Sequence, residues 1–296
     1  MPAVLNTNTA SLYASKNLQS AQSKMATSVE RLSSGLRINR AKDDAAGLGI
    51  AQSLTSQINA ANQGIRNLND GVSMVQAAEG AISAAVDMAQ RILTLATQGA
   101  NGSQSQAGRD AIKSEMNQLL TAITSISSRT SFSGVDLLTQ TTAATGTLIT
   151  LQSSFGSSDT VTLSKTAFMS IGLGAIADLN TTTGSLGQAS VLGNKVSDSA
   201  TSGVAMQTTA SAANDYIAVL NKQRSLLGAY QNQIEFTISN ITELSSNLSA
   251  ARSSVQDTDY ASETAALTKG QILQQAATAM LAQANQMPNV ILSLLK

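Results

Sequence analysis

The chain contains no cysteine, no histidine and no tryptophan. The first two absences exclude thiol nucleophiles, thiolate and imidazole metal ligands, Ser-His-Asp triads and histidine acid–base chemistry. The sequence also lacks a Gly-rich phosphate-binding loop ahead of a helical segment. We therefore expect that the protein is not an enzyme and that it uses neither a metal nor another cofactor.

Charge of one sign and long apolar runs are absent as well. Lys and Arg together number 18, and so do Asp and Glu, so the formal net charge is zero. A neutral chain implies no basic face for nucleic acid. Apolar runs fall short of the roughly 18 residues of a transmembrane helix, so we expect no membrane insertion. No basic segment precedes an apolar run at the start, so export would need a route other than a conventional secretory signal.

Helical periodicity is abundant, whereas aromatic residues make up only 3% of the chain. Apolar residues in the N-terminal half follow steps of mostly three and four residues, as in a coiled-coil seam. They are Leu54, Ile58, Ala61, Ile65, Leu68, Val72, Val75, Ile82, Val86, Ala89, Leu93 and Ala96. Few aromatics and long seams favour an elongated helical body with a thin core.

Two further stripes provide partners for this seam. Large apolar residues in the C-terminal half lie seven apart, at Leu220, Leu227, Ile234, Ile241, Leu248 and Val255. A third stripe comprises Ile112, Met116, Leu119, Ile123 and Ile126. Burying one large side chain contributes about 1.5–3 kcal/mol, whereas ordering one backbone residue costs about 1–2 kcal/mol. A solitary helix is therefore unfavourable, and the three stripes are expected to pack together.

Both termini have sparser stripes. The N-terminal one comprises Val4, Leu5, Leu12, Leu18, Met25, Val29, Leu32 and Leu36, and the C-terminal one Leu273, Ala277, Met280, Ala284, Met287, Ile291 and Leu294. Pro288 is expected to bend or end the last helix near Met287, because proline cannot donate a backbone hydrogen bond. We expect these lightly packed termini to lack partners within the subunit and to order against neighbouring copies.

The middle of the chain loses the helical period. The apolar spacing continues without a shift across the turn-like Asn69-Asp70-Gly71, so a continuous helix is predicted there. Residues 98–103 are predicted to end that helix. Residues 148–152 and 160–163 are predicted to form a β-hairpin. Residues 181–203 should be a polar loop or a small strand-bearing excursion. The Ser and Thr residues between 139 and 202 fit a solvent-facing loop or, alternatively, O-glycosylation.

Several segments resemble bacterial flagellin, the filament subunit of the flagellum. Near the N-terminus they are Asn6-Thr7-Asn8, Glu30-Arg31-Leu32-Ser33-Ser34-Gly35-Leu36-Arg37-Ile38-Asn39, Ala41-Lys42-Asp43-Asp44-Ala45-Ala46-Gly47-Leu48 and Ala78-Glu79-Gly80. At the C-terminus they are Leu227-Gly228-Ala229, Thr237-Ile238-Ser239-Asn240, Gln271-Ile272-Leu273-Gln274-Gln275 and Leu281-Ala282-Gln283-Ala284-Asn285-Gln286. The resemblance covers roughly residues 1–138 and 205–296.

The resemblance implies a mainly α fold, an elongated antiparallel hairpin or bundle of long coiled-coil helices with a small β-hairpin region in the middle. Residues 1–43 plus 256–296 would form an inner terminal domain, and 44–138 plus 204–255 a helical rod. Residues 139–203 would supply the β-hairpin of the rod and a short variable excursion, without a full outer domain. Phe132-Ser133-Gly134 resembles the segment that closes the rod, with Ser replacing the usual Asn.

The function implied by the resemblance is polymerisation into the flagellar filament for swimming, after export by the flagellar type III apparatus. Implied partners are other flagellin subunits, an export chaperone at the C-terminal helix, and filament cap and junction proteins. The polymerisation residues would be Leu273, Met280, Ala284, Ile291 and Leu294. Two alternatives remain, a hook–filament junction protein and a chemoreceptor-type helical hairpin; the latter should have a tight tip where this chain has a polar insertion.

Two further sites are implied by the resemblance. A plant receptor kinase would recognise a segment that also forms a subunit contact, with Arg31, Leu32, Arg37, Ile38, Asn39, Lys42, Asp43 and Asp44. A Toll-like receptor of animals would contact Gln90, Arg91, Leu95 and Glu115. From the residues alone, the charged members of both sets could equally be solvated faces, and Leu95 a helix-surface apolar residue.

Overall fold

The structure is a computed structural model that describes residues 8–138, 147–164, 168, 171 and 203–294, with only the backbone of Thr147 and of 287–294. Its described residues are mainly α-helical with short antiparallel strands in the middle, which confirms the predicted fold class. Most of the predicted polar excursion and the candidate glycosylation region lie outside the described residues.

The helices are long, and α1 and α3 have recognisable capping residues. They are α1 (Thr9–Ser34), α2 (Ala45–Gly99), α3 (Gln106–Arg129), α4 (Gly203–Gln256) and α5 (Tyr260–Leu294). Asn8 caps α1 by accepting a hydrogen bond from the Ser11 backbone N–H, and Ser105 caps α3 through Gly108 in the same way. The predicted break at 98–103 is confirmed, because α2 ends at Gly99.

The strands form two small antiparallel pairs. β1 (Ser131–Phe132) and β2 (Val135–Asp136) are joined by Ser133 and Gly134, whose φ angles are 49° and 81°. β3 (Thr147–Gln152) pairs with β4 (Thr160–Ser164), with an irregularity between Thr147 and Ile149. This second pair confirms the predicted hairpin to within one residue at each outer end.

Backbone contacts divide the chain into two compact units. One comprises Met1–Ile58 with Ser246–Lys296, and the other Asn59–Ser245. The boundaries therefore fall inside α2 and α4, whereas the sequence predicted a division at 43/44 and 255/256. The segment after α1 bonds to the end of α4 within the first unit, as in the hydrogen bond from the Arg37 N–H to the Gln256 carbonyl (2.7 Å).

In the first unit, α1 packs along α5 in the opposite direction. Arg31 near the end of α1 lies 3.6 Å from Glu263 near the start of α5, and Ser11 hydrogen-bonds to Asn285 at the other end. The buried positions of the seam are small, namely Ala14, Ala21, Ser28, Gly270, Ala277 and Ala284. The expectation that the terminal stripes lack a partner within the chain is therefore wrong.

The structure also corrects the expected end of the last helix. Of the two outcomes expected near Met287, a bend or an end, the end is excluded, because α5 continues through Pro288 to Leu294. Proline fixes φ near the helical value and removes one hydrogen bond to the carbonyl four residues earlier, which here belongs to Ala284. That carbonyl accepts a hydrogen bond from the Asn8 side-chain amide at 2.7 Å. The lost helical bond is thus replaced by one from α1.

In the second unit, α2 and α4 run antiparallel. Glu79 lies 3.6 Å from Arg224, and Asn62 hydrogen-bonds to Ser245. The predicted α4 seam is confirmed for Leu220, Leu227, Ile234 and Ile241, which are all buried. Leu248 and Val255 belong to the other unit and are only half-buried. The predicted pairing of distant stripes thus holds in this unit.

α2 is buried on a wider face than a single seam would give. Ala85, Ile92 and Leu95 are buried beside the predicted Ile82, Val86, Ala89 and Ala96, whereas Leu93 is half-buried. The reason is that α2 has two neighbours: it pairs with α4 and also contacts α3 through Arg91 and Glu115. On α3, Leu120 and Ser127 are buried, while the predicted Leu119 and Ile126 are partly buried.

The β3–β4 hairpin packs on α2 and explains one glycine there. The Asn67 side-chain amide donates to the Gln152 carbonyl at 3.0 Å. The side chain of Leu151 occupies the space that a Cβ atom at Gly71 would need. Gly71 therefore lies within a continuous helix, as predicted, and its lack of a side chain admits the hairpin.

Candidate functional site

An apolar groove runs between α1 and α5, and we call it the terminal groove. It has a volume of about 890 Å³, and its walls include Tyr13, Ala14, Ala21, Leu273, Ala277 and Met280. Tyr13 is 70% exposed, Met280 62% and Leu273 45%. The small residues at the bottom bring the helices close together, whereas the large apolar side chains at its rim face solvent. Such an arrangement can accept apolar side chains of another protein surface.

The five predicted polymerisation residues fall into three groups. Leu273 and Met280 are exposed at the rim of the terminal groove. Ala284 is only 6% exposed, because it lies in the seam with α1. Ile291 and Leu294 belong to α5 by their backbone, and their side chains lie outside the described residues.

The segment between α1 and α2 is held by local and longer-range hydrogen bonds. The Gly35 carbonyl accepts from the Thr258 N–H at 3.0 Å, and the Arg37 guanidinium donates to the Val255 carbonyl at 2.5 Å. Asp44 accepts a hydrogen bond from the Gly47 N–H at 2.9 Å in the first turn of α2. The segment is therefore fixed to the end of α4.

Asp43 organises the exposed turn in that segment. One of its carboxylate oxygens accepts hydrogen bonds from the backbone N–H groups of Arg40 (2.9 Å) and Asn39 (3.2 Å). The hydrogen bond from Arg40, above all, lowers the pKa of the Asp43 carboxyl, and the nearby charges of Lys42 and Arg31 act in the same direction. The turn is therefore most stable when Asp43 is ionised.

The remaining residues of the predicted plant-receptor epitope differ in accessibility. Ile38 is 1% exposed, so its side chain belongs to the interior of the subunit. Arg37, Asn39 and Lys42 are exposed, whereas Leu32 is half-buried. Arg31 is also half-buried, beside Glu263.

The predicted animal-receptor patch centres on an ion pair between α2 and α3. The Arg91 guanidinium donates from two nitrogens to one Glu115 carboxylate oxygen, at 2.7 and 3.0 Å. Both side chains are about half exposed, and Gln90 beside them is exposed. Leu95 is 3% exposed and lies in the core, so its interpretation as a helix-surface residue is wrong. The structure therefore groups three of the four residues at the surface.

Sequence reasoning missed three features of these surfaces. Tyr13 at the rim of the terminal groove lies outside the steps of the predicted stripe. Glu30 bonds to both Arg40 (2.8 Å) and Asn39 (3.1 Å), a contact that needs the turn at Gly35. The side chain of Asn8 joins α1 to the Ala284 carbonyl, and the only sequence signal for it was the proline four residues after Ala284.

Among the described residues, no helix combines the length and apolarity needed to cross a membrane. In the same part of the chain, no three potential metal-ligating side chains cluster together.

Comparison with known proteins identifies the family. Residues 5–143 match the bacterial flagellin N-terminal helical region, and 210–295 match the C-terminal helical region. The chain is 36% identical over 299 residues to the flagellar filament 33 kDa core protein of Treponema phagedenis, covering 99% of this chain and 100% of that one. It is 33% identical over 376 residues to polar flagellin F of Vibrio parahaemolyticus, covering all of both chains.

A solved structure shows the same fold. It is that of a putative flagellar hook-associated protein from Vibrio parahaemolyticus, with a TM-score of 0.55 and 16% identity, covering 73% of this chain and 100% of that one. The two family matches together span well over half of the present sequence, one on each side of the β-hairpin. The chain therefore belongs to the bacterial flagellin family.

Proposed function

We propose that the chain is a structural subunit that polymerises into the extracellular bacterial flagellar filament, which drives swimming. The terminal groove supports this proposal most strongly, because its rim exposes large apolar side chains while its own seam uses small ones. The relatives named flagellar filament core protein and polar flagellin support the same function.

The energetics of the terminal groove favour a contact with another copy. Covering one large apolar side chain contributes about 1.5–3 kcal/mol, so Tyr13, Leu273 and Met280 together offer a substantial gain to a subunit that buries them. Contacts between unlike surfaces of identical subunits generate an open helical assembly when the rotation does not close. A filament is such an assembly.

Substitutions at the rim test this role. Leu273→Asp and Met280→Asp each place a charge where an apolar contact is proposed, and we expect the variants to remain in the supernatant when the unchanged chain sediments as polymer. Gln271→Asp is the matched control, since Gln271 is exposed on the same helix and does not line the terminal groove. Sedimentation of the rim variants as complete as that of the control would contradict the proposal.

Electron microscopy of the same samples separates the alternatives. Long filaments from the unchanged chain are expected of a filament subunit. A hook–filament junction protein would not grow long filaments alone, and a chemoreceptor-type hairpin would form none.

The proposed partners include the export machinery. A subunit exported by the flagellar type III apparatus would need its apolar terminal helix protected beforehand, and a chaperone on α5 would provide that protection. The exposure of Leu273 and Met280 supports α5 as its binding site. Filament cap and junction proteins would contact the same assembly at its ends. Co-purification of the chaperone with the full chain but not with the Leu273→Asp, Met280→Asp double variant is the expected result.

The ion pair on α2 and α3 supports recognition by a Toll-like receptor. Its groups are accessible and fixed in position, so Arg91→Ala should weaken signalling in reporter cells without affecting filament formation. Arg66→Ala is the control, because Arg66 is another exposed arginine of α2 that bonds within its own helix, to Gln63. An equal dose response for both variants would contradict this role.

The exposed turn after α1 supports recognition by a plant receptor kinase. Arg37, Asn39 and Lys42 are accessible, whereas Ile38 becomes available only if the segment leaves the subunit. A peptide of residues 30–51 should therefore trigger a reporter response in leaf tissue more strongly than the intact subunit does. A stronger response to the intact subunit would oppose this interpretation.

A further inference from the structure

The methionines of this chain differ widely in exposure, and the most exposed of those described lies at the terminal groove. Three are at most 3% exposed in the core of the second unit, and two are half-buried. They are Met74, Met116 and Met206, and Met25 and Met88, respectively. Met280 is 62% exposed at the rim of the terminal groove. Among the methionines whose side chains the structure describes, Met280 is therefore the one that a dissolved reagent reaches most readily.

Met280 supplies apolar surface that its neighbours on α5 do not replace. It follows Leu273 by about two helical turns, so both side chains project from one face of the helix. The groove residues three and four positions away along α5 have small or polar side chains. They are Ala276, Ala277, Gln283 and Ala284. The apolar contact that this part of the rim offers to another subunit therefore depends on the Met280 thioether.

The thioether of methionine changes its polarity in a single reaction. Hydrogen peroxide transfers one oxygen atom to the sulfur: the O–O bond breaks, an S–O bond forms, the sulfur loses two electrons and the peroxide is reduced to water. The product, methionine sulfoxide, carries a hydrogen-bond acceptor that is costly to bury without a donor. Oxidation of Met280 would thus remove an apolar contact and add a polar group at a surface that another copy is proposed to cover.

The exposure of Met280 does not depend on the pairing of α1 with α5. An unpaired α5 would expose the side chain further, whereas a neighbouring subunit seated on the terminal groove would cover it. A dissolved oxidant therefore reaches Met280 before assembly and is excluded from it afterwards. The free subunit and the polymer should differ in how fast this sulfur is oxidised.

We propose that Met280 is an oxidation site that controls assembly: a subunit that carries its sulfoxide does not join the polymer, whereas the polymer protects the thioether from oxidation. The oxidant is a peroxide, and enzymatic reduction of the sulfoxide regenerates the thioether. This inference rests on the proposed filament function and adds a regulation of the same surface.

Two variants assign the effect to one methionine. Met25→Leu combined with Met287→Leu leaves Met280 as the only methionine of α1 and α5, and we call it the Met280-only variant. Met280→Leu is its complement, because it keeps Met25 and Met287. Leucine is similar in volume to methionine but takes up no oxygen. Met88 is present in both variants, so its oxidation affects them equally. Each variant is compared with its own untreated sample, so that any effect of the substitution itself on polymerisation is removed.

The assay measures the critical concentration for seeded polymerisation by sedimentation. The subunit is treated with hydrogen peroxide, the peroxide is removed, and peptide mass spectrometry confirms the sulfoxide at each methionine. Loss of one apolar contact should raise the critical concentration of the Met280-only variant by about tenfold or more, whereas that of Met280→Leu should change less than about twofold. Methionine sulfoxide reductases with a dithiol as reductant should restore the Met280-only variant. In preformed filaments, Met280 should be oxidised more slowly than in the free subunit, by about tenfold or more.

An unchanged critical concentration of the Met280-only variant, despite complete sulfoxide formation at Met280, would overturn the proposal. An equal rise in both variants would overturn it too, as would equal oxidation rates of Met280 in subunit and filament. In these cases the untreated chain still forms filaments, so the proposed function stands. If the untreated chain formed none, the proposed function would fail and this inference with it. Helical circular dichroism of the treated Met280-only variant should be unchanged; its loss would attribute the effect to unfolding and overturn the proposal.

Discussion

Gly64 on α2 is predicted to be intolerant of even one methyl group. A Cβ atom at this position would overlap the backbone carbonyl group of Ser153, at the end of β3. Ser153 is 5% exposed, and its N–H and hydroxyl both bond to the Asp159 carbonyl, so its backbone cannot move freely. Gly64→Ala therefore requires the hairpin to lift from α2.

Two opposing effects determine how much Gly64→Ala changes the free energy of unfolding. Replacing glycine by alanine inside a helix stabilises it by about 1 kcal/mol. Forcing a group into a filled space costs about 1–3 kcal/mol, and losing the bond from Asn67 to the Gln152 carbonyl costs about 1 kcal/mol more. The net change in the free energy of unfolding for Gly64→Ala should be a loss of about 1–3 kcal/mol.

Gly80 provides the matched control on the same helix. Nothing lies within 4 Å of a Cβ atom at Gly80, so Gly80→Ala should gain about 1 kcal/mol from helix propensity alone. Urea unfolding followed by circular dichroism measures both variants, and proteolysis within 153–159 reports on the hairpin. If Gly64→Ala were as stable as Gly80→Ala, the packing of the hairpin on α2 would be refuted.

Three further changes test separate parts of the structure. Gln223 is 3% exposed and its side-chain oxygen has no hydrogen-bond partner among the described residues, so Gln223→Leu should raise the free energy of unfolding by about 1–3 kcal/mol in urea. Ser133 has a left-handed φ of 49°, so Ser133→Asn should stabilise the β1–β2 turn by about 0.5 kcal/mol in thermal unfolding. Folding lowers the pKa of the Asp43 carboxyl below its usual value of 3.8. The stability that ionised Asp43 contributes should therefore be complete above pH 3.8 and should be lost as the pH falls through the pKa of the folded state. NMR titration of the carboxyl group measures that folded-state pKa.

Each of these changes has a control or a contrary outcome. Gln233→Leu, at an exposed position of α4, should alter stability by less than about 0.5 kcal/mol, and an equal gain there would show that burial is not the cause. A less stable Ser133→Asn would contradict the turn geometry. A folded pKa of Asp43 at or above 3.8 would contradict its hydrogen bonds to the Arg40 and Asn39 N–H groups.

The sequence was sufficient to predict which residues are buried where large apolar residues recur on a helix that packs against one partner helix. The seam of Leu220, Leu227, Ile234 and Ile241 has one partner helix, so its heptads predicted burial correctly. The hairpin followed from β-branched residues around Gly156. α2 was harder, since it packs against both α3 and α4, and a single period cannot describe two buried faces.

In the terminal helices α1 and α5, the size of an apolar side chain did not predict whether it is buried. Leu12 is 63% exposed and Met280 62%, whereas Ala14 and Ala277 are buried, so the closest contact falls on the small residues. A rule that assigns the largest apolar residues to the interior selects the wrong face. The sequence left a bend and an end open at Pro288, because the donor that compensates for the missing N–H comes from Asn8, far away in the sequence.

Electron microscopy of the full chain beside a chain lacking residues 281–296 tests most directly whether the terminal helices drive assembly. After seeding in salt, the full chain should form long filaments, whereas the truncated chain should form none and should keep the helical circular dichroism of the second unit. Filaments from the truncated chain, or none from the full chain, would contradict the account.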